Sequence, residues 1–194
     1  MRQIPAKAAI LCGLFGIVVF LVLYSVAMVS DSDYTFFKNY LSDLGVGPGA
    51  WAFNSALVIT GIALVVFAVS GLGKVMGGLP SAKAGKYLLA LSGILLVGVV
   101  VFNEDFDPEH YMFSVSYFLT FLLALLVISA SLYQTRALGN FGLVASMTAC
   151  VVGILLLPMG GNPESETIAV FTMIVWGVLV GGAALLKEYG REIP

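Results

Sequence analysis

The chain has 194 residues, of which 60% are hydrophobic and 10% charged; its mean hydropathy is +1.03 and its net charge −2. A soluble domain carries about 25% charged residues, and a chain of this length cannot hide so much apolar surface from water, so the bilayer must be its solvent. A nucleic-acid partner is excluded, because no basic patch exists to meet phosphates.

Six apolar runs are long enough to cross a bilayer, which takes about 20 residues. They cover about 8–29, 51–72, 84–102, 111–133, 141–158 and 167–186. The expected fold is all-α: one polytopic transmembrane bundle of six helices that occupies 1–194 as a single domain. The first run follows Arg2 and Lys7 and contains Ser25-Val26-Ala27, which resembles a signal-peptidase site. A signal h-region is only about 7–15 residues long. The run is longer, so it is read as an uncleaved helix. Cys12 and Cys150 each lie inside an apolar run, away from any C-x-x-C or Cys/His cluster, and read as small hydrophobes.

Charge sorts by loop. With both termini cytoplasmic, Arg2, Lys7, Lys74, Lys83, Lys86, Arg136, Lys187 and Arg191 fall inside and only Lys38 outside. The acids sort the other way, with only Glu188 and Glu192 inside. This is the positive-inside pattern, and it places the protein in the cell membrane as a multi-pass protein. Small residues at i and i+4 let helices approach closely. Gly177 and Gly181 in the sixth helix, and Ala145, Ala149 and Gly153 in the fifth, have that spacing. They are candidates for contacts within the bundle, with a homo- or hetero-oligomer as the alternative.

The candidate chemistry lies in the external loops. In the first, Phe36, Phe37, Tyr40, Leu41 and Leu44 fall at helical spacing, which predicts an amphipathic stretch in the membrane interface, either a lid that covers the bundle or a wall of a lipid or ligand pocket. Gly45, Gly47, Pro48 and Gly49 then turn the chain into the second helix. Asp43 needs a partner beside so much apolar surface, and Lys38 and His110 are the candidates; helix capping by Ser42 or Asp43 is the alternative. The second loop, 103–110, holds four acids and the only histidine. His110, Asp105, Asp107 and Glu109 could bind a divalent metal, although their spacing matches no standard site, and a solvated acidic loop is the other reading. The third loop reads as a turn, with Glu164 and Glu166 placed favourably at a helix N-terminus. Asn54, one turn into the second helix, is either interhelical glue or a headgroup ligand.

These residues resemble a known family. Asn39-Tyr40-Leu41-Ser42-Asp43-Leu44-Gly45 ends the first loop and Trp51-Ala52-Phe53-Asn54 opens the second helix. Gly98 and Val101-Phe102-Asn103-Glu104 close the third, and His110 starts the fourth. The pattern resembles the six-helix membrane family catalogued as domain of unknown function 998, over most of the chain. It is more distantly similar to the Frag1/DRAM/Sfk1 group, whose members are linked to lipid remodelling. Asn103 stands where that pattern has a proline. The resemblance implies a lipid-related role by analogy. The expectation is a protein that binds or organises a lipid or lipid-like ligand at the outer leaflet, through Ser42, Asp43, Asn54 and His110, without a cofactor. Membrane lipids are the expected partners. A metal-assisted hydrolase or transferase acting on a lipid, and a structural or accessory membrane subunit, are the alternatives.

Overall fold

The structure, a computed structural model, describes residues 4–192, with side chains through Gly190. Arg2 lies outside the described residues, as do the side chains of Arg191 and Glu192. Six helices are long and apolar enough to cross a membrane. They are α1 (Ala6–Ser30), α2 (Ala50–Met76), α3 (Pro80–Val101), α4 (Glu109–Thr135), α5 (Gly139–Met159) and α6 (Pro163–Glu192). No strand is present among the described residues. The protein is a multi-pass helical membrane protein.

Each helix packs on the next in sequence, and α6 closes back on α1. The bundle is therefore an up-and-down ring, with odd and even helices running in opposite directions. Lys7, Lys74, Lys83, Lys86, Arg136 and Lys187 gather at one end, the basic end. The long 31–49 loop and the 102–108 loop lie at the other, the acidic end.

Several helices outrun their apolar segments, for local reasons. The sixth starts at Pro163 rather than near Thr167. Asn162 caps it, with its Oδ1 accepting the Ser165 N–H at 2.8 Å, and proline suits the first helical position. Glu164 and Glu166 are thus in its first turn. α3 likewise begins on Pro80. α2 runs on to Met76 through a π-helical turn at Phe67–Leu72.

Backbones touch where glycines face each other. A Cβ on Gly61 would lie 2.6 Å from the Gly93 carbonyl oxygen, and one on Gly93 would lie 2.7 Å from that of Gly61. Gly177 and Gly181 rest on Ile17 and Leu14 of α1, and Gly153 faces Leu122 of α4. These three glycines thus make close contacts within the chain.

Trp176 of α6 is almost fully buried. Its Nε1–H donates to Ser146 Oγ of α5 at 3.0 Å, and its ring meets Phe121 edge-on at 5.5 Å. Ser146→Ala leaves a buried indole N–H without an acceptor, and the expected loss is about 1–3 kcal/mol. Thermal unfolding of the detergent-solubilised variant measures it; an unchanged midpoint would show that the bond contributes nothing.

Candidate functional site

The acidic end is built on the 31–49 loop. Its apolar residues do not form the expected amphipathic stretch. Phe37 takes a left-handed backbone (φ 67°), and the backbone N–H groups of Lys38 and Asn39 both donate to the Thr35 carbonyl. A single 3₁₀ turn follows at Ser42–Gly45. Side chains compete with helix formation here. Asn39 Oδ1 accepts from the Thr35 N–H at 3.0 Å, and Asp43 Oδ2 accepts from Asn39 Nδ2 at 3.2 Å and from the Tyr40 N–H at 3.1 Å. Asn39 and the Tyr40 backbone are therefore hydrogen-bond partners of Asp43. Leu41 and Leu44 point inward and are buried, while Phe36, Phe37 and Tyr40 stay exposed. The loop is a lid seated on the ring.

Two polar contacts fasten that lid. Asn54 Nδ2 donates to the Gly45 carbonyl at 2.9 Å. The bond ties α2 to the lid rather than to another membrane-spanning helix, and Asn54 borders neither cavity described below. On the far side, the Leu41 backbone N–H donates to Glu166 Oε2 at 2.9 Å. The first turn of α6 thus holds the lid across the bundle.

The acidic loop divides in two. Asp105, Asp107 and Glu109 are exposed, whereas Glu104 turns inward. Glu104 lies beside Ser42 and Asp43 and near His110, close enough for each to act on its carboxyl. Burial pushes its carboxyl above the ordinary value of 4.5; the Ser42 and His110 side chains oppose that shift, and Asp43 reinforces it. His110 Nδ1 is 2.8 Å from the Phe102 carbonyl oxygen, and its Nε2 is 3.4 Å from Ser114 Oγ. Asp43 and His110 share one mouth with Glu104 between them. The proposed metal set His110, Asp105, Asp107 and Glu109 does not converge. Among the described residues no three His, Cys, Asp or Glu side chains are grouped to hold an ion.

The native state binds the Glu104 proton more tightly than the unfolded chain does. Stability should therefore fall as pH rises from 4.5 through the raised value. Glu104→Gln keeps a neutral hydrogen-bonding side chain and should flatten that slope. Melting curves of both proteins across this range test it; parallel pH profiles would contradict it.

Two cavities meet at this mouth. A cleft of about 860 Å³ runs between α4, α5 and α6. Its polar end holds Ser42, Asp43, Glu104, His110 and Glu166, and its walls are residues such as Leu119, Leu122, Gly153 and Leu156. It continues along α4 from His110 to Leu125, a rise of about 22 Å at 1.5 Å per residue. An inner cavity of about 120 Å³ lies inside the ring beneath Leu41, lined largely by apolar side chains such as Phe20, Leu57 and Phe121. The two share Ser42, Ser114, Phe118, Glu166 and Met173.

Sequence reasoning gave no chemistry to Glu166 or Ser114 and took Glu104 only as one acid of the second loop, quoted in the family motif without a role of its own. A signal existed for two of them. Glu166, Val170, Met173, Gly177 and Gly181 occupy one face of α6, the face already marked by its glycines. Ser114 is one turn below His110, on the same face of α4.

A sequence model of the family described as "Protein of unknown function (DUF998)" matches residues 14–186. The chain belongs to this family. No curated protein and no solved structure matches it. The DUF998 match runs from α1 to α6, so it takes in the lid, the acidic loop and both cavities.

Proposed function

We propose that this DUF998 protein binds an amphiphile, a membrane lipid or isoprenoid-type molecule, in the cleft between α4, α5 and α6. The positive-inside pattern supports an outward-facing acidic end, and on that orientation the ligand comes from the outer leaflet. The observation that carries the reading is the cleft itself, polar at the membrane surface and apolar for about one leaflet's depth below it. The distant resemblance to the Frag1/DRAM/Sfk1 group points the same way, by analogy.

Charge narrows the headgroup. Asp43, Glu104, Asp107 and Glu166 border the cleft, and among the described residues no Lys or Arg does. At an effective dielectric constant of 20, a phosphate 4 Å from one carboxylate is opposed by about 4 kcal/mol. Hydroxyl- or amine-bearing headgroups fit; an exposed phosphate monoester does not. Selectivity must come from this end, because a lipid chain leaves one apolar environment for another when it enters the cleft and gains little there.

Lipid extracted from the purified protein should contain one enriched species, absent from Asp43→Ala and His110→Ala. If both variants carry the same lipids at the same level as the parent, the site is wrongly placed.

A further inference from the structure

We infer that Ser114 and His110 form a nucleophile–base pair that cleaves an acyl ester of the amphiphile held in the cleft. The inference rests on the binding proposed above and adds a reaction to it.

The argument starts from the imidazole. The Phe102 carbonyl can only accept a hydrogen bond, so His110 Nδ1, 2.8 Å away, must carry the proton. In the neutral ring this leaves the lone pair on Nε2, and Nε2 faces Ser114 Oγ at 3.4 Å. A nucleophile beside a base, with the base oriented by a third group, is the arrangement that activates serine. Such contacts are often longer before substrate binds.

Ser114 Oγ meets the imidazole rather than a backbone carbonyl of its own helix. Ser25, Ser30, Ser129 and Thr172 each donate to the carbonyl four residues back.

Position supplies the substrate class. Ser114 lies one turn below the polar mouth and just above Phe118 and Leu119, and it borders both cavities. In an acylated lipid the ester carbonyl occupies this same junction between headgroup and chain. Ser114 Oγ would attack that carbonyl and pass its proton to His110 Nε2. As the ester C–O bond breaks, His110 returns the proton to the departing alcohol, leaving an acyl-serine. Water, deprotonated by His110, then attacks the acyl-serine; as the bond to Ser114 Oγ breaks, His110 returns the proton to that oxygen, which releases a carboxylic acid and restores both residues.

The test uses the full-length protein in nanodiscs with a long-chain alkyl fluorophosphonate, which phosphonylates activated serines. The adduct should map to Ser114 by peptide mass spectrometry, a readout that needs no variant. It should vanish in Ser114→Ala, form about a hundredfold more slowly in His110→Gln, within the range general-base catalysis contributes, and persist in Ser129→Ala. No adduct, or one on another residue, overturns the pair. If photo-reactive lipid still crosslinks to the cleft in that case, binding stands without the reaction; if it does not, both readings fail.

Discussion

Gly153→Trp should reduce co-purified lipid about tenfold, a loss of about 1.4 kcal/mol in binding, while leaving the six-helix ring folded. Gly153 stands on the α5 wall of the cleft. The nearest atoms to a Cβ there belong to the Leu122 side chain, with Cδ1 at 2.8 Å, and that methyl can swing aside. The indole would then occupy the groove where a lipid chain is proposed to lie. The lid is unaffected, since its bonds to Asn54 and Glu166 lie on other helices. The measurement is lipid per protein by mass spectrometry, paired with a melting curve. Unchanged lipid in a folded variant would mean that the chain lies elsewhere.

Gly61→Leu should have the largest effect on the fold, a loss of about 3 kcal/mol or more. The neighbour of a new Cβ is the Gly93 carbonyl oxygen at 2.6 Å, which is backbone. No rotamer change relieves that contact, so α2 and α3 must separate along their crossing. Overpacking a tight core costs about 1–3 kcal/mol, and more when backbone has to move. Gly182→Ala is the matched control. A Cβ there meets nothing within 4 Å, and the change should stay within about 0.5 kcal/mol. Expression, monodispersity and melting temperature in detergent separate the two. Equal behaviour would show that the Gly61–Gly93 approach contributes little.

The helices were legible because each buries its backbone in an apolar run, and the loops punctuate those runs with charge, glycine and proline. The two acids at the start of α6 were legible as well, but not its first residue: the apolar run begins near Thr167, and the Asn162-Pro163 cap sets the start at Pro163. The backbone of the lid was misread. Helical spacing of aromatics marks which residues share a face, but Thr35, Asn39 and Asp43 divert the backbone into turns. Within the site, Asp43 and His110 could be named from the chain, while their common neighbour Glu104 could not. Nothing local distinguishes Glu104 from Asp105 or Asp107. Only the closure of the lid over the end of α3 brings it to Ser42 and Asp43. Glu166 becomes part of the site through a contact 125 positions away in sequence, with the Leu41 N–H.

The central claim, that the α4–α5–α6 cleft holds an amphiphile, is tested most directly by photo-crosslinking in native membranes. Cells are fed a fatty acid carrying a diazirine in its chain, and crosslinked peptides are mapped on the purified protein. Crosslinks should concentrate on Leu119 and Leu122 of α4 and on Gly153 and Leu156 of α5, and should fall sharply in Gly153→Trp. Crosslinks spread evenly over outward-facing residues such as Phe15, Val22 and Ile62 of α1 and α2, unchanged by that substitution, would contradict the account.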